Sequence, residues 1–349
     1  MTVGQKRYPS VSILISDYNK GEKVKRNLDA LLMQNYPNFR ILILDNGSSD
    51  NTSKILSEYK DARISLFRLE KNCGAAGGNQ FLLERVATDY FMYIDADDWL
   101  IGEEAIANFV ESALSHDADM TFLRHKIYKN ENDVSAAAFK GSKENVFVGK
   151  DLIKYVLDPQ CLYPTTRLFG SEDLGTHWGV LIKTSSVRVN GALVKHDWEL
   201  YSVGVFEDFL FICKCLKAVK KCCVIDKFAY MLNREGESTT ANGSDKSYIR
   251  NETFISLGEI WKNISDLDSE TRTAFAYFFS QLFPFCLDAS NLKEFRQLFR
   301  SYKKAPFFSE AKKLVLKSRA LKSRKKAMLK HPYAAYFYKK LRKKASHKQ

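Results

Sequence analysis

The first hundred residues alternate between short apolar runs and segments in which apolar positions recur at helical spacing. Apolar runs bounded by turn-forming residues predict buried strands at Ser10 to Ser16, Arg40 to Asp45, Arg63 to Arg68 and Tyr90 to Asp95. The segments between them predict helices at Val24 to Leu32, about Thr52 to Tyr59, and Gln80 to Val86. This alternation indicates a parallel sheet with helices on both faces, where ligands bind beyond the carboxyl ends of the strands.

The same pattern continues for a while beyond residue 99 and then changes. A helix at Glu103 to Leu114 and a strand at Asp119 to His125 are predicted, followed by a mixed region to about Asn233. From Ser247 to about Tyr302 the strand signal is lost and the pattern is helical. We therefore expect an α/β domain over residues 1–240 that divides near residue 100, a helical region over 241–302, and a separate tail over 303–349.

Composition is that of a globular protein, with 45% hydrophobic residues among 349. No secretory leader and no apolar window of the roughly 18 residues needed to span a bilayer is seen, so we expect a cytoplasmic protein. The seven cysteines form no CxxC pair, which argues against a zinc site or a disulfide framework.

The net charge of +13 is concentrated at the C-terminus. Residues 303–349 hold 17 Lys and Arg against the single acid Glu310, whereas residues 1–302 hold 37 basic and 40 acidic side chains. Leu314, Leu321 and Met328 are spaced seven apart, which predicts a basic helix with a thin apolar stripe. Such a helix suits an anionic membrane surface, and a solvated tail or an acidic protein partner remain alternatives. No recognition fold accompanies the charge, so no nucleic acid is expected.

Three acids follow the predicted fourth strand, in the sequence YIDADD. Alternation along a strand puts Asp95 and Asp97 on the same side, and two adjacent carboxylates favour a hard divalent cation such as Mg²⁺ or Mn²⁺. Asp98 points elsewhere and is expected to cap the following helix. The alternative is three acids on a surface turn.

Four motifs together carry a family resemblance: Ser16-Asp17-Tyr18-Asn19, Leu44 to Thr52, Asn72 to Asn79, and Asp95 to Asp98. In this order and spacing they resemble the inverting family 2 glycosyltransferases over roughly residues 10–240. The resemblance implies a GT-A, Rossmann-like, mostly parallel sheet with flanking helices and a C-terminal helical region. Residues 1–100 would form the nucleotide-sugar half, and residues 101–240 the acceptor half.

By this resemblance Asp45 accepts the N3–H of a uracil or thymine base, Asp95 holds the ribose and assists the metal, and Asp97 is the main ligand of Mn²⁺ or Mg²⁺. Further nucleotide-sugar contacts would come from Ser16, Asp17, Tyr18, Asn19, Gly74, Gly77, Gly78 and Asn79. The chain departs from the family at Ser16 and Asp17, where a Pro and a small hydroxyl residue are usual. An ordinary glycine-rich loop is the alternative for the third motif.

The resemblance also implies catalytic and acceptor residues. Glu207 and Asp208 match an acidic pair at the head of a helix, in which Asp208 would be the general base and Glu207 would bind the acceptor. Arg234 would pair with the diphosphate, and His177 and Trp178 would form the acceptor wall, with the indole stacked on a sugar ring. The alternatives are acids that favour a helix N-terminus, a solvated arginine and a surface histidine.

The sequence thus predicts an inverting, metal-dependent glycosyltransferase. It would move a hexose or N-acetylhexosamine from a UDP-sugar to a hydroxyl of a cell-surface glycan, lipid-linked or polymeric, at the inner face of the cell membrane. A rhamnosyltransferase that uses dTDP-rhamnose and a non-catalytic glycan- or nucleotide-binding protein at the membrane surface are the alternatives. A Rossmann oxidoreductase is excluded, because the turn after the first strand, SDYNKGEK, lacks G-x-G-x-x-G.

Overall fold

A computed structural model describes residues 8–136, 144–148, 178–189, 192–196, 207–235 and 292–304, together with 308–309, 312–313, 331 and 335. The chain divides into two compact units. One comprises Met1–Leu152 and Glu172–Gly243, and the other comprises Ile153–Ser171 and Ser244–Gln349. The helices predicted over 247–291 and most of the basic tail lie outside the described residues.

Twelve strands are described, and all of them belong to the first unit. They are β1 (Val11–Asp17), β2 (Phe39–Asp45), β3 (Ile64–Arg68), β4 (Tyr90–Tyr93), β5 (Trp99–Leu100), β6 (Met120–Asn130), β7 (Asp133–Ala136), β8 (Glu144–Val148), β9 (Val180–Lys183), β10 (Arg188–Val189), β11 (Ala192–Leu193) and β12 (Lys221–Asn233). The helices are α1 (Glu22–Leu32), α2 (Thr52–Glu58), α3 (Gly74–Leu83), α4 (Ala105–Ser115), a short 3₁₀ helix (Thr184–Val187), α5 (Glu207–Ala218) and, in the second unit, α6 (Leu292–Lys304).

The main sheet runs in the order β3-β2-β1-β4-β9-β6-β12-β5, with β7 beside β6 and β8 beside β12. The first four strands are parallel, and so are β6 and β12. Strand β9 is antiparallel to both of its neighbours. The order reverses between β1 and β4, and such a reversal opens a crevice at the carboxyl ends of the strands.

The core is built on strands that are apolar on both faces. Strand β1 places Ile13 and Ile15 in the cluster that also holds Val24 and Leu28 of α1, and all four are fully buried. Each such side chain contributes roughly 1.5–3 kcal/mol to folding by leaving water. Helix α1 therefore lies firmly on the sheet, and the loop that connects it to β1 is held at the crevice.

Three of the differences from the predicted boundaries bear on the acids after β4 and the glycine-rich segment. Helix α3 begins at Gly74, six residues earlier than predicted, because packing against the sheet outweighs the low helix propensity of glycine. Strand β4 ends at Tyr93, so the three acids lie in a turn and not on a strand. Helix α4 begins only at Ala105, far from Asp98. In the described part of the chain, no helix has the length and apolar character needed to span a bilayer.

Candidate functional site

The turn after β4 brings Asp95 and Asp97 to the crevice. The amide of Asp98 donates to the carbonyl of Asp95 at 3.0 Å and closes the turn. The buried Asn27 of α1 donates its Nδ2 to the same carbonyl at 2.9 Å. Both carboxylates are partly exposed, whereas Asp98 is buried. The turn is thus fixed by backbone and side-chain hydrogen bonds.

A lysine from the loop after β1 reaches this turn. The Nζ atom of Lys20 lies 2.6 Å from Oδ2 of Asp97, and both side chains are about three-quarters buried, at 25% and 23% exposure. Sequence reasoning did not single out Lys20. Lys20 directly follows Asn19 of the first motif and therefore lies on the same loop, and this position could have identified it from the sequence.

Asp98 does not cap a helix, contrary to the sequence prediction. Its Oδ2 accepts a 2.6 Å hydrogen bond from the hydroxyl of Tyr230, and its Oδ1 accepts one of 2.7 Å from the amide of Asn233. The Tyr230 hydroxyl in turn accepts from the amide of Asp95 at 3.2 Å. Burial raises the pKa of Asp98 well above its ordinary value, and the nearby Asp95 carboxylate raises it further. Asp98 therefore ties the acidic turn to the end of β12.

The loop after β1 is connected to the loop after β2 by Asn19. This residue has a positive φ of 54°, which Asn tolerates better than most residues. Its Oδ1 accepts from the amide of Ser49 at 2.8 Å, and its own amide donates to Oγ of Ser48 at 3.0 Å. Asn19 thus shapes the site by holding two loops together, and Tyr18 beside it is 43% exposed.

Two buried carboxylates, Asp17 and Asp45, end the neighbouring strands β1 and β2 and are register partners. Oδ1 of Asp45 accepts from the amide of Ser48 at 2.8 Å, and Oδ1 of Asp17 accepts from the amide of Lys20 at 3.2 Å. The Oδ2 atoms of both acids have no hydrogen bond within the described residues, although Nε of Arg68 lies 3.6 Å from that of Asp45. Each acid therefore has, at the carboxyl end of its strand, one buried carboxylate oxygen without a hydrogen bond in the described part of the chain.

Burial raises the pKa of Asp17 to about 7, and the charges of Asp45 and Asp50 add to this effect. The amide and the ammonium of Lys20 act in the opposite direction without cancelling it. A carboxyl group that is half protonated near neutral pH replaces the small hydroxyl residue usual in the family.

Most of the glycine-rich segment, from Gly74 to Asn79, is helical and forms the start of α3. A Cβ atom on Gly78 would lie 2.2 Å from Oγ of Ser16 and 3.0 Å from Nδ2 of Asn46. Asn46 also binds the N-terminal end of α3, since its Nδ2 donates to the carbonyl of Gly74 at 3.0 Å. Gly78 is thus required for close packing of helix on sheet, and Ser16 lies under the helix.

The charges at the end of β4 and at the start of α5 act on one another. Burial raises the pKa of Asp95 to about 7, and the carboxylates of Asp97 and Asp208 raise it further. Lys20 and Arg234 lower it. Asp208 is partly buried, and Arg234, which directly follows β12, is exposed. The fold therefore gathers Asp95, Asp97, Asp208 and Arg234, which are far apart in sequence, around one place.

The acceptor residues are the least supported part of the prediction. Trp178 is 8% exposed, its ring stacks on Tyr230 with centroids 4.9 Å apart, and His125 packs edge-on against it. The indole therefore packs in the core and does not present an open face to a sugar, contrary to the prediction. His177 and the side chain of Glu207 lie outside what the structure describes.

The residues present fit a divalent ion that is shared with a substrate. Within the described ranges no group of three His, Cys, Asp or Glu side chains could hold an ion alone. Asp95 and Asp97 supply carboxylates from one turn, and Mg²⁺ commonly takes one or two carboxylates and completes its shell with phosphate and water. A site of this kind is complete only with a phosphorylated donor.

Comparison with known proteins places this geometry in a family. The family model described as glycosyl transferase family 2 matches residues 12–167. The chain contains a family 2 glycosyl transferase domain. The predicted enzyme class is thereby confirmed, and the matched range includes all four sequence motifs.

Curated relatives are named glycosyltransferases. An uncharacterized glycosyltransferase of Haemophilus influenzae is 24% identical over 245 residues, which cover 69% of this chain and 85% of the relative. The UDP-Glc:alpha-D-GlcNAc-diphosphoundecaprenol beta-1,3-glucosyltransferase WfgD of Escherichia coli is 34% identical over 106 residues, which cover 30% of this chain and 40% of the relative. The chain thus matches most of the first relative and less than half of the second.

A solved structure confirms the GT-A fold prediction. Residues 1–349 of S. aureus TarS, in complex with UDP-GlcNAc, superpose with a TM-score of 0.69 at 19% identity, covering 94% of this chain and 88% of that chain. Among the relatives, TarS of Staphylococcus aureus is named a poly(ribitol-phosphate) beta-N-acetylglucosaminyltransferase. The acceptor in the name of TarS is thus a poly(ribitol-phosphate), and that in the name of WfgD is an alpha-D-GlcNAc-diphosphoundecaprenol.

Proposed function

We propose that the protein transfers a hexose or N-acetylhexosamine from a UDP-sugar, with inversion and with a divalent metal, to a hydroxyl of a cell-surface glycan or its lipid-linked precursor. One observation carries the proposal: the charges of Asp97, Asp208 and Arg234 all act on Asp95, and Oδ2 of the buried Asp45 has no hydrogen bond within the described residues. The TarS complex with UDP-GlcNAc and the UDP-Glc dependence in the name of WfgD support a UDP-sugar donor.

The donor base is held at the ends of β1 and β2. A carboxylate oxygen accepts the N3–H that uracil and thymine carry and cytosine lacks, so Asp45 selects for a uracil or thymine base. Uracil and thymine both carry this proton, so the Asp45 contact does not distinguish UDP from dTDP. Only a comparison of their binding affinities can separate the two donors. Asp95 lies between the base and the metal-binding acid and holds the ribose.

The leaving diphosphate is neutralised on one side of the crevice. Asp97, assisted by Asp95, would hold the divalent ion, which when bound stabilises the charge of the departing diphosphate. Arg234 follows β12, where its backbone amide donates to the carbonyl of Tyr128 at 2.7 Å. Its guanidinium would pair with a phosphate of the donor.

The acceptor hydroxyl must lose a proton as it attacks the anomeric carbon. Asp208 is the second residue of α5. It takes that proton as the general base, on the side opposite the diphosphate. Inversion follows because a single displacement has no covalent intermediate. A non-catalytic binding protein would have no use for a carboxylate at this position, and Asp208 therefore weighs against that alternative. Acceptor contacts by Glu207 and His177 remain predictions.

The cytoplasmic face of the membrane is the proposed place of action. Relatives that use undecaprenol-linked or wall-polymer acceptors support this proposal. The basic tail over 303–349 would bring the protein to anionic lipid.

Calorimetry with UDP, dTDP, GDP and CDP, each with and without Mn²⁺, tests the donor site. We expect UDP to bind most tightly, and more tightly with the metal than without it, and Asp97→Ala to lose the metal-dependent part of the affinity. Tight binding of dTDP alone would favour the rhamnosyltransferase, and no nucleotide binding would contradict the donor site.

The base is tested by Asp208→Asn in an assay of donor turnover with glycan acceptors. We expect turnover to fall at least about 100-fold while the affinity for UDP stays within about twofold, because the amide cannot take a proton. Asp117→Asn is the matched control, since Asp117 is exposed and lies just before β6, away from the strand ends that form the site. Unchanged turnover in Asp208→Asn would contradict the base assignment.

A further inference from the structure

The backbone around Lys20 is fixed on both sides. Its amide donates to Oδ1 of Asp17 at 3.2 Å, and its carbonyl accepts from the amide of Lys23 at 3.0 Å. The flanking residues Asn19 and Gly21 both have positive φ, at 54° and 48°. This tight turn ends at the start of α1 and directs the lysine side chain across the crevice to the turn after β4.

The ammonium group lies among acids. It contacts Asp97 at 2.6 Å, and the charges of Asp95 and Asp17 also act on it. An ammonium group has three donors and no acceptor, so in this position it can only neutralise and hold a carboxylate. Asp97 is thus already paired with a cation that belongs to the protein.

A divalent ion at Asp97 competes with this ammonium for the same carboxylate. Two positive charges a few ångströms apart in a partly buried site repel strongly. The ammonium contacts Oδ2 of Asp97, so a divalent ion at this carboxylate is favoured when the ammonium moves away toward other negative charge. The proposed diphosphate is the group that would bring such charge into the crevice.

We propose that Lys20 is the resident counter-ion of Asp97 and a ligand of the donor diphosphate, so that metal and nucleotide bind together and the metal binds weakly alone. This inference rests on the proposed donor site. When the donor enters with its metal, Asp97 passes to the metal and the Lys20 ammonium moves to a phosphate oxygen. Lys20 thereby couples the two binding events, and such coupling is reciprocal.

Mn²⁺ binding, followed by the electron paramagnetic resonance signal of the free ion, tests the counter-ion role on the full chain without nucleotide. We expect Lys20→Met to bind Mn²⁺ at least about tenfold more tightly than wild type, because a competing cation is removed. Lys20→Arg keeps the charge and should bind Mn²⁺ as weakly as wild type. Lys25→Met is the matched control, since Lys25 is an exposed lysine on α1.

UDP binding without metal tests the second role. We expect the affinity of Lys20→Met for UDP to fall about tenfold while that of Lys25→Met is unchanged, since an ammonium–phosphate pair is lost. The synergy between Mn²⁺ and UDP binding should also shrink in Lys20→Met.

Equal Mn²⁺ affinity in wild type and Lys20→Met would overturn the inference, even if UDP binds as proposed. A wild type that binds no UDP would overturn the donor site instead, whatever the Mn²⁺ titration shows. Circular dichroism on each variant verifies that it is folded.

Discussion

Asp17 is the residue at which this chain departs most clearly from its family. Its side chain is fully buried, with one oxygen bonded to the amide of Lys20 and the other without a hydrogen bond in the described structure. A carboxylate in such surroundings loses its hydration and gains too few hydrogen bonds in return, whereas the neutral, protonated acid loses much less hydration free energy. The cost appears as the raised pKa of about 7.

This raised pKa makes stability depend on pH in a defined direction. The unfolded chain releases the Asp17 proton near its usual pKa of 3.8, and the folded chain holds it to about 7. Stability from this group is therefore complete below about pH 4 and is lost as the pH rises to about 7, by at most about 4 kcal/mol.

Asp17→Asn should remove this dependence, because the amide resembles the protonated acid and cannot ionise. We expect its Tm to equal that of wild type near pH 4 and to exceed it at pH 8, as measured by thermal unfolding at both values. Asp117→Asn, at an exposed position, should show no such difference. A Tm gain of the same size at both pH values would contradict the burial argument.

Helix α3 shows how an element is placed by one missing side chain. Its second turn presses on the end of β1, where the space for a Cβ on Gly78 is already taken by Ser16. Alanine favours a helix over glycine by about 1 kcal/mol, but a contact of 2.2 Å forces the helix or the strand to move. Overpacking of this kind commonly costs about 1–3 kcal/mol.

Gly78→Ala should therefore lower the free energy of unfolding by about 1–2 kcal/mol, measured by chemical denaturation. Ser16→Ala removes the obstructing hydroxyl, so the double variant should recover part of the loss. Additive effects of the two substitutions would contradict direct contact between these residues.

At the scale of elements, sequence pattern predicted the strands of the first half within a few residues, because fully buried strands have continuous apolar runs. The donor-side motifs follow those strands directly, so their position at the strand ends could be predicted, while their contacts with a donor stay predictions. The start of α3 was missed because glycine opposes helix formation locally while packing favours it. Asp98 was misassigned because its partner Tyr230 is 132 residues away in sequence, and no local pattern reports such a contact.

The whole molecule is electrically divided. Residues 1–302 hold 37 basic and 40 acidic side chains and are nearly neutral, whereas the last 47 residues hold 17 basic side chains and one acid. Each cation near an anionic surface contributes about 1 kcal/mol, and salt screens that attraction over about 10 Å at 0.1 M. We therefore expect the tail to bind anionic lipid in a salt-dependent way.

The full chain should sediment with vesicles that contain phosphatidylserine and not with neutral phosphatidylcholine vesicles. We expect the bound fraction to fall steeply between 50 and 500 mM salt, concentrations chosen to span the range of screening. Replacing Arg324, Lys325 and Lys326 by Gln should weaken binding without changing UDP affinity. Binding that is equal on both kinds of vesicle would contradict an electrostatic tail.

The hydrogen bonds of Tyr230 determine which segments of the domain unfold together. The Tyr230 hydroxyl accepts from the amide of Asp95, and the Asp98 carboxylate accepts from the amide of Asn233 and from that hydroxyl. One connected set of hydrogen bonds thus joins two chain segments that are more than a hundred residues apart. Neither segment can fray by itself without leaving buried polar groups unpaired. Local unfolding should therefore open the acidic turn and the end of β12 as one unit, which also keeps Arg234 from drifting away while the turn stays in place.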